Sequence, residues 1–232
     1  MSHFPVAVFH RPCEDIESLL APYDEQNTEF MQIEYPEETE AEFQTAYQEK
    51  GQDYDSFEDF MNGYYGYQQD ADGHWGYMTN PDAKWDWWEI GGRYSDMLRL
   101  KNGDRADESE VSEVLWEPEP GVYRHALRYW EVNVEGQPLR EGERADDFLC
   151  FYKPAYYLEQ FGTKEKYAET QALTCLPWAF LTADGEWVEA GEMGWWGMHN
   201  ATQDSRKTFQ DAFFDYVREH PELMVTVVDC HI

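Results

Sequence analysis

Apolar positions along the chain gather into short runs separated by polar stretches that are rich in aromatic residues. Residues 4–10, Phe-Pro-Val-Ala-Val-Phe-His, form a continuous β-branched run closed by Arg11-Pro12, the pattern of a buried strand. Residues 224–231 repeat that character, and the two are expected to share one central sheet. Ile16, Leu19 and Leu20 recur at helical spacing and predict a short helix that stops before Pro22. Pro36-Glu37-Glu38 suits the first turn of a helix with Phe43, Ala46 and Tyr47 on its apolar stripe and Gly51 at its end. Ser56 with Asp59 resembles a capping box for a second helix, whose Phe57, Phe60, Met61, Tyr64 and Tyr65 follow the i, i+3, i+4, i+7, i+8 rule.

Residues 63–76 read as an aromatic loop, and residues 101–113 as an exposed, mobile one. Residues 121–134 and 148–157 carry strand-like aromatics. Residues 177–182 and 186–189 flank Ala183-Asp184-Gly185, a hairpin turn. A last helix begins after Thr202 or Asp204, carries Phe209, Phe213, Tyr216 and Val217 on one face, and is stopped by Pro221. This order predicts an α+β fold with a mostly antiparallel sheet that contains the N- and C-terminal strands, helices being packed on it. One domain over residues 1–232 is expected, with residues 12–82 as an acidic helical lobe within it.

Composition agrees with a folded chain, since 17% aromatic residues, including 10 Trp and 16 Tyr, is more ring surface than a disordered segment carries. No run of about 18 apolar residues occurs, and Met1-Ser2-His3-Phe4-Pro5 lacks the basic and apolar parts of a signal peptide. A cytoplasmic protein without a membrane partner is therefore expected. Cys13, Cys150, Cys175 and Cys230 are scattered with no CxxC pair, which argues for reduced thiols and against a metal site built on cysteine. The charge changes the picture most. Residues 12–82 hold 19 acidic side chains against Lys50 alone, out of a net charge of −31 for the whole chain. Such a field repels nucleic acid and anionic membranes, disfavours direct nucleic-acid binding and attracts basic protein surfaces.

Short catalytic signatures are missing: there is no Walker loop, GxGxxG, HExxH or GxSxG. The candidate chemistry lies instead in three peculiar segments. Residues 80–94, Asn-Pro-Asp-Ala-Lys-Trp-Asp-Trp-Trp-Glu-Ile-Gly-Gly-Arg-Tyr, offer either an aromatic core corner or a pocket wall, with Lys84, Asp86, Trp87 and Arg93 as its candidates. Extended, they would place Trp85 and Trp87 on one face. Residues 191–199, Gly-Glu-Met-Gly-Trp-Trp-Gly-Met-His, repeat the theme with Trp196 and His199. Asp229-Cys230-His231 ends the last strand, where alternation puts Asp229 and His231 on one face, open to a distant partner such as His199 or His10.

Taken together, the Phe-Pro-Val-Ala-Val-Phe start, residues 80–93, Asp-Gly-Glu-Trp at 184–187, residues 191–198 and the terminal Val-Val-Asp-Cys-His-Ile resemble an uncharacterised family of proteins encoded by bacteriophages, prophages and other mobile elements. The resemblance implies a phage-type accessory protein in a bacterial host cell and no particular activity. With the acidic lobe, it points to a binding protein of anti-CRISPR or anti-restriction type, a mimic of the nucleic-acid backbone that occupies the basic surface of a host or defence protein. Glu37, Glu38, Glu40, Glu42, Asp53, Asp55, Glu58 and Asp59, on the outer faces of two helices, would be its contact surface, with no cofactor and no metal. The alternative is a small-molecule enzyme or sensor whose Trp/Gly-rich pocket holds a nucleotide- or sugar-like ligand between Lys84, Asp86, Trp87, Arg93, Trp196, His199, Asp229 and His231.

Overall fold

β1 (His3–His10) and β11 (Met224–His231) pair antiparallel over their whole length, His3 opposite His231 and His10 opposite Met224. Every residue from Val225 to Cys230 is buried, as a strand with neighbours on both sides and layers on both faces requires. The computed structural model describes residues 2–232 and resolves two compact units, one made of the chain up to Ile16 together with Trp88–Ile232, the other of Glu17–Trp87.

In the larger unit, β9 (Ala179–Leu181) runs parallel to β1, and β10 (Trp187–Glu189) closes the expected hairpin onto β9. On the other side of β11 lie β5 (Trp87–Ile90) and β8 (Glu108–Glu110), completing a mixed six-stranded sheet of order β10-β9-β1-β11-β5, with β8 also on β11. The fold is α+β, and the two terminal strands are direct neighbours at its centre. α7 (Gln203–Glu219) is capped by Thr202, whose hydroxyl accepts from the Ser205 N–H. It sends Phe209, Phe213 and Val217 into one core with Phe9, Phe180, Val225 and Val227.

Two expected strands are helices. Residues 121–134 fall in α4 (Pro120–Asn133) and part of residues 148–157 in α5 (Pro154–Phe161), each with proline in its first turn, where the missing N–H costs nothing. Tyr123, Tyr129 and Trp130 of α4 and Tyr157 of α5 face a second core that includes Ala126, whereas Phe151, Tyr152 and Tyr156 are exposed, and Tyr167 and Ala168 join the core from α6 (Lys164–Ala172), an element the pattern did not reveal. Residues 101–113 are not one loop either: β6 (Leu98–Arg99) and β7 (Arg105–Ala106) pair across them, and β8 follows.

The smaller unit begins in α1 (Ile16–Leu20), which stops before Pro22 as expected. β2 (Gln32–Glu34), β3 (Gln68–Gln69) and β4 (Trp75–Thr79) make a sheet of order β2-β4-β3. Residues 63–76, expected as loop, thus contain a hairpin. α2 (Glu40–Lys50) starts four residues after Pro36, because Thr39 and Glu42 form a reciprocal cap and leave Glu37 and Glu38 ahead of the helix. α3 (Phe57–Phe60), capped by Ser56, runs into a π-helical turn, Met61–Tyr65. Phe43, Phe60 and Met61 form the core of this unit, ringed by Tyr47, Tyr54, Tyr65 and Trp75.

Candidate functional site

The smaller unit concentrates the charge. Its 71 residues carry 18 acidic and two basic side chains, a net of −16. Glu37, Glu38, Glu40, Glu42, Asp53, Asp55, Glu58 and Asp59 are all exposed. Two of the eight also have local work: Glu42 accepts from the Thr39 N–H at 2.7 Å and its hydroxyl at 2.8 Å, and Asp59 accepts from the Asp55 N–H at 3.2 Å. The Thr39 donors hold the Glu42 carboxyl below its ordinary range. The aromatic cluster behind α2 and α3 fixes the helices that carry Glu40, Glu42, Glu58 and Asp59, whereas Glu37, Glu38, Asp53 and Asp55 lie in the segments flanking them and not on the helix faces where they were expected.

A cavity of about 500 Å³ opens in the same unit, between the segment from Tyr35 to Phe43 and the β3–β4 turn. The turn is built on Asp70, which accepts from the N–H groups of Asp72 and His74, both at 2.9 Å. The Tyr35 phenol donates to the same carboxylate at 2.6 Å. These donors, the phenol foremost, hold Asp70 down at about 2, so it stays ionised at any ordinary pH. None of Tyr35, Asp70, His74 or Trp75 stands out in the sequence alone; Asp70-Ala71-Asp72-Gly73 between alternating residues was the available hairpin signal.

In the larger unit three segments of unusual composition meet around the start of β1 and the end of β11. Asp229 is fully buried, and its carboxylate accepts from the Arg93 N–H at 2.9 Å and lies 3.0 Å from His3 Nδ1. Gly92, at φ +53°, passes so close over Asp229 that a Cβ there would stand 2.5 Å from the Asp229 Cβ. The rings of His3 and His231 meet edge to face at 4.9 Å, and the Tyr94 phenol donates to the His3 carbonyl at 2.9 Å. One residue earlier, the Ser2 hydroxyl donates to the Gly194 carbonyl at 2.9 Å and accepts from the Gly197 N–H at 2.7 Å, tying the Trp-Gly loop to the same place. No family model, curated protein or solved structure matches this chain.

The partner of Asp229 is therefore His3, not His199 or His10. His10 is buried with Nε2 2.9 Å from the Thr226 hydroxyl, while His199 is exposed, accepts from Arg206 at 3.0 Å and lies against Trp178. The antiparallel pairing of the terminal strands was the signal that placed His3 opposite His231. Arg93 contributes its backbone N–H to Asp229, and its side chain is exposed. Trp196 is 78% exposed and sits at φ +63°, a left-handed conformation that costs a non-glycine residue.

Lys84, Asp86 and Trp87 belong to the smaller unit, where the first half of the segment has an architectural task. Asn80, 4% exposed, donates to the Pro22 and Asp24 carbonyls at 2.8 and 2.9 Å, and Trp85 is buried. Trp87 is 47% exposed, so the two indoles do not share an environment. Among the described residues no group of three or more His, Cys, Asp and Glu is placed to hold a metal, and no helix is long and apolar enough to cross a membrane. Burial pushes the Cys230 thiol well up, which makes it an inert core group.

Proposed function

We propose that this is an acidic binding protein of phage or mobile-element origin that blocks a host or defence protein by occupying its basic, nucleic-acid-binding surface. The observation that carries the reading is the exposure of all eight carboxylates on one small unit of net charge −16. Charge of this density steers a basic partner into contact and penalises nucleic acid. The resemblance of the Trp-Gly and terminal motifs to proteins of mobile elements supports the origin, and the basic grooves of CRISPR effectors and restriction complexes are surfaces of the required sign.

Replacing Glu37, Asp53, Asp55 and Glu58 by Lys tests it, because none of the four side chains serves as the helix-capping acceptor that Glu42 or Asp59 does. Exposed substitutions move stability by about 0.5 kcal/mol or less each, so the variant folds. From host lysate, the wild-type protein is expected to capture a partner that is released by competing duplex DNA and by about 0.5 M salt, where the Debye length falls to about 4 Å. The reversed variant is expected to capture none. Equal capture by a variant of unchanged melting temperature would refute the reading.

The second reading, a small-molecule enzyme or sensor, is favoured by one observation: the buried Asp229 carboxylate beside His3 Nδ1 orients an imidazole of which 16% is exposed. A carboxylate in that place fixes the orientation of the ring, as general acid–base work requires.

A further inference from the structure

We propose that the cavity beside the β3–β4 turn is a receptor for an arginine side chain, with the extended peptide around it, supplied by the basic partner. The proposal rests on the reading of the acidic unit as the recognition surface and names the group that surface takes in. Three independent features converge on it. First, the space is concave and of about 500 Å³, which holds a side chain together with the backbone on either side of it. Second, Tyr35 and Trp75 line it, with the buried ring of Phe43 beneath them, and Trp75 is steadied by Phe57, the two rings meeting edge to face at 5.9 Å. Flat π faces bind a planar guanidinium by stacking and through the ring quadrupole.

Third, the fixed charge has one sign. Glu38, Glu40, Asp70 and Asp72 line the cavity, beside His74 with its Nδ1 3.3 Å from the Asp70 carboxylate, and no Lys or Arg does. Asp70 is already committed to the turn and to the Tyr35 phenol, which makes it a fixed anion at the wall. Glu38, Glu40 and Asp72 are exposed and present carboxylate oxygens, which a guanidinium meets in a bidentate fork. An ammonium on a lysine stem offers neither the plane nor the fork, so arginine is preferred over lysine. An apolar ligand would leave four carboxylates facing it, and an anion is repelled.

The experiment is a titration of the ¹⁵N-labelled full chain with an acetylated, amidated Gly-Ser hexapeptide containing one arginine, run against the same peptide with lysine or with citrulline. Citrulline keeps the shape of arginine and removes its charge. Amide and Trp75 indole shifts are expected to be confined to residues 35–43 and 70–75, with the lysine peptide weaker and the citrulline peptide at least tenfold weaker. Glu38→Gln with Asp72→Asn, two exposed changes, is expected to weaken the arginine peptide at least tenfold at unchanged melting temperature. Equal shifts with citrulline, shifts elsewhere on the chain, or full binding by the double variant would overturn the proposal. Lysate capture separates its failure from that of the function. If the double variant still captures the partner while the reversal at Glu37, Asp53, Asp55 and Glu58 does not, the receptor is refuted and the acidic surface stands. If both variants capture it, both readings fall.

Discussion

Gly92 passes over Asp229 at a φ of +53°, with 2.6 Å between an added Cβ and the Asp229 carboxylate oxygen. Gly92→Ala therefore combines left-handed strain with displacement of a fully buried carboxylate from the Arg93 N–H and His3. The expected cost is about 3 kcal/mol. Gly103, at φ +94° with nothing within 4 Å of its added Cβ, provides the control. Gly103→Ala carries the strain alone and is expected to cost about 1 kcal/mol. Urea unfolding midpoints of the two variants decide the matter, and equal losses would show that the close approach to Asp229 contributes nothing. Residue chemistry of this kind was half legible. The sequence shows Gly91-Gly92 and Asp229 as unusual, and alternation places Asp229 with His231. That the two segments touch is a long-range fact, 136 residues apart, which no local pattern carries.

At the scale of elements, the legible ones have local punctuation. β1 and β11 are continuous apolar runs, the β9–β10 turn contains Asp-Gly, and α7 has a Thr cap and a clear apolar stripe. The Tyr, Trp and Val residues of α4 and α5 favour strands, and that preference is weaker than burial. Tyr123, Ala126, Leu127 and Trp130 recur at i, i+3, i+4 and i+7 on the face that meets Tyr157 and Tyr167, a period a strand cannot produce. The end of α4 is held by an ion-pair network that its pattern does not announce. Arg128, largely buried, donates to Glu143 and Glu131, and to the Pro138 carbonyl, pinning the connection that follows the helix. The Arg128 guanidinium, and after it the Arg140 N–H, hold the Glu143 carboxyl at about 2 against an ordinary 4.5. Because the folded value is the lower one, the stability from this pair is complete above about pH 4.5 and is lost as pH falls toward 2. Glu143→Gln is thus expected to melt below the wild type at pH 6, with the gap narrowing steadily down to pH 2.5. A gap independent of pH would assign the loss to packing instead.

On the scale of the molecule, the smaller unit enters the chain as an excursion whose two ends are fastened together. The Tyr23 carbonyl accepts from the Lys84 N–H at 2.8 Å and from the Trp85 N–H at 3.3 Å, and the Glu25 N–H donates to the Trp85 carbonyl at 3.0 Å. The cluster around Phe213 and the cluster around Trp130 consist of residues outside the excursion, and the cluster around Phe60 consists of residues within it. Replacing residues 25–84 by two glycines should then leave the six-stranded sheet and its helices intact, since Asp24 and Trp85 already lie side by side in a parallel bridge. The excised segment carries 15 acidic and two basic residues, so the remainder is also relieved of −13 of its charge. Self-repulsion destabilises a compact acidic chain and is screened by salt. The excised protein is expected to unfold in one cooperative transition, with near-ultraviolet dichroism retained below it. Between about 0.02 and 0.3 M salt its melting temperature should rise less than that of the full chain. A noncooperative transition, or loss of the aromatic dichroism, would mean that the larger core depends on the acidic unit and that the charge has been tolerated because the fold requires it.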